Sequence, residues 1–461
     1  MMNPLKHLTF GGRIYGDNLV AGKTYTGIYT DTDFKGWSLK SRKPAQEHQI
    51  RLALATLQCE NPADWETMLN KTISKVQTDK KAKQKTRQWW NSYWKRSYVF
   101  IDSGKIGSDY WKVGRNYQLF RYMLGCNAYG SEPTKFNGGL FTFDPVHIDS
   151  TRVFTPDFRL WGGGTMTAQN QRLVYFPMLK SGDFDMMKPQ FDFYERMLDN
   201  AKLRTKVYWN HGGACFSEQI ENFGLPNLAE YDWKPRHEGF PVGVDSNPWL
   251  EYTWDTALEF ALMMFDAHLY NNEPIVPHLP FIESLLTFFD EHYSYLALRR
   301  GTNKLDGDGH LVLYPGSACE TYKMATNATS TVAALKVITE KLLELPELDA
   351  TQREHWSGFL KRIPPISYRE VQGKKTISPA KMWERINNSE VPSLYPVYPW
   401  RIYGIGQPEL QTAINTYLYD PEAIEFRSHI GWKQDNIFAA CLGLTEEAER
   451  LTFCLLYTSD A

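Results

Sequence analysis

The apolar pattern of this chain changes period once, and that change constrains the fold more than any other feature. Over residues 1–60 apolar and polar residues alternate between Gly- and Asn-rich turns, in "LTFGGRIYGDNLVAGKTYTGIYT" and again in "HQIRLALATLQ". Alternation sends successive side chains to opposite faces, so this segment predicts β-strands. They are too few to close a sandwich, and the expectation is the C-terminal part of a β-sandwich domain. From Asn61 the texture changes. "NPADWETMLNKTISKVQ" joins an Asn cap to helical spacing, and the Lys-rich "TDKKAKQKTRQWWNSYWKRS" continues it, giving a helical linker over 61–105. Beyond residue 110 helices dominate, with candidates at 111–128, 185–203, 249–271, 278–298, 325–345, 350–361, 406–418 and 434–442. The loops between them are long and rich in Trp, Asn and His. Long loops in compact domains are functional or disordered, and the aromatic content of these argues against disorder. Helix pairs with elaborate loops at one end predict a mainly α chain built as an α/α toroid over 106–453.

Composition removes several classes of function. Lys+Arg 51 against Asp+Glu 53 gives a net charge of −2 with no basic block, which argues against a nucleic-acid partner. No apolar run has the length to span a bilayer, and "MMNPLKHLTFGG" lacks a signal-peptide pattern. Cys59, Cys126, Cys215, Cys319, Cys441 and Cys454 show no C-x-x-C spacing, so they read as buried thiols and not as a disulfide framework or zinc site. "LDGDGH" (305–310) begins like a calcium loop, but the twelfth position from Asp306 is Ser317 where a bidentate Glu is needed. A tight turn is expected there. Zinc-protease, P-loop and hydrolase-elbow motifs are absent, and neither metal nor cofactor is expected. The aromatic share is 14%, with 15 Trp and 26 Tyr. Such rings stack on sugars, and they equally fill helical cores.

The candidate chemistry lies in the loops. "PTKFNGGLF" (133–141) offers Asn137, and "WGGGTMTAQNQRLVYFP" (161–177) offers Trp161 and Asn170. "YWNHGGACFSEQIENFG" (208–224) contains Asn210, His211 and Glu218, and "SNPWLEYTWD" (246–255) contains Trp249 and Glu251. Amides and indoles at loop tips suit hydroxyl-rich ligands, although each could be ordinary packing. "LYPGSACETYK" (313–323) sets Glu320 and Tyr322 behind small residues that leave room for something to approach the carboxylate. Glu320 is either the cap of a helix starting near Asn327 or an acid at a pocket mouth.

The order of these segments resembles glycoside hydrolase family 95, the inverting α-L-fucosidase and α-L-galactosidase type, and within it a bacterial sister group of unknown function. "YQLFRYMLGCNAYGSEPTKFNGGLF" is similar to the family's helix followed by P-A-N-L-Q-G-I-W. "AQNQRLVYFPMLKSGDFDMMKPQFDFYERM" is similar to its N-x-N-L-Q-M-N-Y-W-P segment and the helix after it. That alignment puts the family's two water-positioning asparagines at Ala168 and Asn170, of which only Asn170 matches. "YPGSACETY" is similar to P-S-x-S-P-E-N, which makes Glu320 the general acid, with Cys319 and Thr321 replacing the family's Pro and Asn.

The resemblance therefore implies an (α/α)6 toroid, incomplete at its C-terminus, preceded by a β-sandwich remnant and a linker helix. It implies an exo-acting hydrolase for α-linked L-fucose- or L-galactose-like sugars, with a carbohydrate substrate and a secreted or periplasmic parent. Substrate contacts would come from Trp161, Asn137, Asn210, His211, Glu218, Trp249, Glu251 and Tyr322. The family's base follows the helices that correspond to 429–451, so it is expected beyond the chain end, with Asp435 a weak substitute. The ending "CLLYTSDA" resembles translated adapter sequence, making 454–461 an expected non-native tail. A fragment so truncated is expected to be inactive, its site open on that side with no carboxylate facing Glu320 at the inverting distance of roughly 6.5–9.5 Å. Two alternatives stay open: a polysaccharide lyase using Tyr208, Asn210 and His211, and a non-catalytic carbohydrate-binding relative.

Overall fold

The computed structural model describes residues 1–101, 105–127, 129–134, 151, 165–227, 236, 238–430 and 433–456. The chain divides into two units, one holding residues 2–97 and the other the described residues of 98–134 and 165–456. Asn137 and Trp161 lie outside the described residues.

The first unit has strands β1 (Leu8–Tyr15), β2 (Leu19–Tyr29), β3 (Thr32–Ser41) and β4 (Arg51–Gln58), then helices α1 (Pro62–Thr78) and α2 (Ala82–Arg96). β1 pairs antiparallel with β4, and β2 with β3. Asn61 caps α1 by accepting from Ala63 N at 3.0 Å, with Pro62 supplying a preset φ at the first helical position. α1 lies on the β1–β4 pair, where the Trp65 indole donates to Ala55 O at 3.0 Å. The glycine at Gly11 leaves room for that ring, since a Cβ there would sit 3.2 Å from it. The expected continuous helix breaks at Asp79, whose carboxylate accepts from Lys81 N at 2.9 Å and from Lys85 Nζ at 2.6 Å. Leu52, Leu54, Phe10 and Ile14 remain exposed.

The second unit is helix packed on helix. It begins with α3 (Asp109–Asn127), β5 (Met166–Thr167), α4 (Ala168–Ser181), α5 (Lys188–Arg196), α6 (Leu198–Trp209) and β6 (Gln219–Ile220). There follow α7 (Ala257–Asn271), α8 (Leu279–Arg299), β7 (Gly316–Ala318), β8 (Tyr322–Ala325), α9 (Thr329–Glu344) and α10 (Ala350–Arg362). Last come β9 (Tyr368–Val371), β10 (Lys374–Ile377), β11 (Arg385–Ile386), α11 (Leu410–Tyr419), α12 (Pro421–Glu425), α13 (Asp435–Cys441) and α14 (Thr445–Leu455). α7 is buried from Ala257 through Ala267, all round its circumference, which marks it as a central helix. It packs on α4, α8 and α9, so the core sits where these four meet. Among the described residues no helix is long and apolar enough to cross a membrane.

Most expected helices form within a few residues of their predicted bounds, and two departures shape the site. Residues 161–177 are expected as a loop from their glycines and amides, but 168–177 belong to helix α4, which is buried at most positions. Residues 249–256, read as helix, are turns ahead of α7. The buried Lys323 ammonium takes the carbonyls of Trp249 (2.7 Å) and Glu251 (3.3 Å), and Tyr252 adopts a left-handed φ of 58°. "LDGDGH" forms the expected tight turn, with Asp306 Oδ1 accepting from the amides of Asp308 (3.0 Å) and His310 (2.9 Å).

Candidate active site

Glu320 is presented by the three residues that join β7 to β8. Ala318 pairs with Tyr322, and Cys319 takes a left-handed φ of 51° to close the turn. α9 starts at Thr329, far enough along that Glu320 does not cap it. Its Oε2 instead accepts from Asn388 Nδ2 at 2.8 Å. β11 pairs with β8 and brings the following segment back beside the turn, where Asn387 N donates to Thr321 O (2.7 Å) and Glu390 N to Thr321 Oγ1 (3.0 Å).

Glu320 lines a narrow cavity together with Glu218, Asp255, Glu259, Glu390 and Arg172. Gln169, Thr256, Tyr395 and Trp400 are also in its wall. The Arg172 guanidinium, 4% exposed, donates from Nη1 to Glu259 (3.0 Å) and from Nη2 to Glu390 (3.4 Å). Glu390 Oε1 also accepts from the Tyr395 hydroxyl at 2.9 Å, and its Oε2 from Glu320 N at 3.4 Å. Both oxygens of Glu390 are thus engaged, and its charge lies against the Glu320 turn.

That geometry separates the carboxyls by environment. Burial, then the Glu390 and Glu218 charges, push the Glu320 carboxyl from 4.5 up to about 8, against the opposing pull of Lys323 and Asn388. Burial pushes Glu218 up to about 7, although the Gln169 amide, the Thr256 hydroxyl and Arg172 favour its charged form. Asp255 is raised by burial while accepting from Ser330 (3.0 Å) and Thr331 (2.8 Å), and Glu259 is raised by burial against the pull of Arg172. Lys323 lies under the turn with its three protons used by Trp249 O, Glu251 O and Thr253 Oγ1. Burial draws it down to about 8, opposed by the Glu320 charge.

The expectation is that no carboxylate faces Glu320 at the inverting distance; four other acidic side chains line its cavity. Of the residues singled out in the sequence, Glu218 joins Glu320 there. Asn170 is buried in α4 but is not in the cavity wall, where Gln169 and Arg172 of the same helix stand instead. Trp249 and Glu251 act through their carbonyls on Lys323, and the Glu251 carboxylate pairs with Arg385. Tyr322 faces away, packed against Trp383 in an apolar cluster with Ala318 and Ala380.

Asn210 and His211 belong elsewhere. Asn210 is the exposed left-handed cap of α6. His211 stacks on Trp209 and meets His292 Nδ1 at 2.9 Å, beside a separate cavity lined by Glu291 and Arg362. Asp435 is buried, accepts from Ser428 N at 3.3 Å and is not in the Glu320 wall. Sequence reasoning missed Arg172, Asn388, Glu390 and Tyr395. "NNSEVPSLYPVYPW" (387–400) has the amide, acid and aromatic mixture that marked the other loops, and that was the available signal.

Residues 1–99 match the model of a family described as a domain of unknown function (DUF5703). No curated protein matches the chain. Among solved structures it is similar to one described as a "putative kojibiose phosphorylase from human microbiome", with 12% identity and a TM-score of 0.58. The match covers 94% of this chain and 58% of that one, so the chain spans less than two thirds of that protein's length. At this identity the likeness shows the fold alone, a mainly helical architecture of α/α-toroid type with small N-terminal sheets.

Proposed function

We propose that this chain carries the site of a carbohydrate-active enzyme that breaks glycosidic bonds, with Glu320 as general acid. One observation carries the reading: a carboxyl raised to about 8 sits in a cavity beside a second carboxylate, Glu390, that Arg172 holds in an ion pair. A carboxyl that keeps its proton at neutral pH can donate it to the leaving glycosidic oxygen as the C–O bond breaks. A pair of carboxyl groups flanking the scissile bond, one of them protonated, is the arrangement that glycoside cleavage requires. The fold shared with a structure described as a "putative kojibiose phosphorylase" supports the class of chemistry. The resemblance of 313–323 to the family 95 acid segment supports an exo-acting, inverting hydrolase of α-linked L-fucose- or L-galactose-like sugars. The lyase alternative would need a site of its own, because Asn210 and His211 stand apart from the Glu320 cavity and His211 lines a separate one.

The test is Glu320→Gln assayed on aryl glycosides of graded leaving-group ability. Turnover of poor leaving groups should fall by ~10²–10⁴ while activated ones are largely spared. Equal loss across the series would contradict a proton donor.

A further inference from the structure

We infer that Glu218 is the general base of this site, activating water, so that the enzyme hydrolyses its substrate and does not transfer the sugar to phosphate. The inference rests on the reading of Glu320 as acid. Glu218 is 1% exposed and lines the cavity that holds Glu320. Its two oxygens are not equivalent. Oε1 accepts from Gln169 N, at the first turn of α4, at 2.6 Å, and Ala168 N bonds the Glu218 carbonyl at 2.9 Å. Oε2 has no hydrogen-bond partner among the described residues. A buried carboxylate oxygen without a donor is costly unless something arrives to use it.

Helix capping accounts for Oε1 and leaves Oε2 unexplained. Three of the other carboxylates of the wall are tied to a cation or to hydroxyls, although Glu259 Oε2, like Glu218 Oε2, has no hydrogen-bond partner among the described residues. Glu390 is held by Arg172 and Tyr395, Glu259 by Arg172, and Asp255 by Ser330 and Thr331. Glu218 is in no ion pair among the described residues, although the Thr256 hydroxyl and the Arg172 charge favour its ionised form, and burial raises it to about 7, a value suited to taking a proton near neutral pH.

The step balances. A water proton passes to Glu218 Oε2 as the water oxygen bonds the anomeric carbon. The glycosidic C–O bond breaks with its electron pair on the leaving oxygen, which takes the Glu320 proton. Solvent then restores both carboxyls.

The same wall disfavours phosphate as the incoming group. Five acidic side chains face the cavity against one arginine among its lining residues, and both Nη atoms of Arg172 are already committed. With Glu320 protonated, the only arginine among the lining residues is still paired with two carboxylates and offers a phosphate dianion little compensating charge, whereas neutral water needs none.

The experiment uses the whole chain and a panel of glycosyl fluorides, which need no protonation of the leaving group, beside the matching aryl glycosides. Glu218→Gln keeps the Oε1 acceptor for Gln169 and should lose ~10²–10⁴ on fluorides and aryl glycosides alike, whereas Glu320→Gln should spare the fluorides. Azide should restore turnover in Glu218→Ala by attacking in place of activated water, giving a glycosyl azide of inverted configuration. A capping role alone would not be rescued, so rescue also decides the matter if E218Q is poorly folded. Retained configuration in the wild-type product would make Glu218 a nucleophile and overturn the assignment, as would turnover that requires phosphate. If E218Q behaves as wild type while E320Q shows acid behaviour, the inference falls and the reading of Glu320 stands. If E320Q loses equally on fluorides and poor leaving groups, or no panel member is turned over, both fall.

Discussion

Glu320→Gln should make the protein more stable at neutral and mildly alkaline pH, although it removes the proposed acid. The carboxyl is raised from 4.5 to about 8 in the fold, chiefly by burial. A folded value above the unfolded one means the protonated form is favoured by folding. Its contribution is complete below 4.5 and is lost as pH rises toward about 8, because the unfolded chain gives up its proton first. The cost to the native state by the top of that window is on the order of 3–5 kcal/mol, allowing for the partial exposure of the residue. Gln can still accept from Asn388 Nδ2, so the variant removes the titration and retains the hydrogen bond. Glu218 titrates with the same sign up to about 7 in both proteins, so the difference between them reports residue 320 together with Lys323, which loses the Glu320 charge in the variant. Lys323, drawn down to about 8, adds an opposing slope above that pH, which confines the comparison to roughly pH 5–8. Urea unfolding followed by tryptophan fluorescence at several pH values should show the advantage of E320Q growing by a few kcal/mol across that window. A difference that stays constant with pH would refute the reasoning.

Arg172→Met should cost roughly 3–5 kcal/mol, since it strands two carboxylates that are 4% and 6% exposed at their side chains. Adding Glu259→Gln should recover part of that, and an R172M protein within about 0.5 kcal/mol of wild type by urea unfolding would contradict a buried ion-pair network. Gly213→Ala should destabilise by more than ~2 kcal/mol, because φ is 81° and a Cβ would lie 2.2 Å from the backbone N of Phe288. An unchanged thermal midpoint would show that α8 can move away from this loop.

The period of the apolar pattern foretold the helices well because core burial imposes it, as in α7 and α8. α4 escaped because what makes it helical is tertiary. Its amides, following the glycines at 162–164, read as loop, yet it is buried against α7. The turn that places Glu320 in a cavity wall was legible, since small residues and a Pro-Gly turn are local features. Glu390 was not, because it meets the turn only when β11 pairs with β8 and carries the chain back past Thr321. No local spacing encodes that contact. Asn210 and His211 misled for a related reason: the unusual N-H-G-G serves a left-handed helix cap and a close approach of Gly213 to Phe288.

The central claim, that Glu320 holds a proton at neutral pH, can be measured without knowing the substrate. The infrared difference between wild type and Glu320→Gln isolates the carboxyl band of that one residue, and the band can be followed as pH is raised. The account predicts a protonated carboxyl signal that persists through neutrality and titrates near about 8. A signal that has already become carboxylate near the ordinary 4.5 would contradict it.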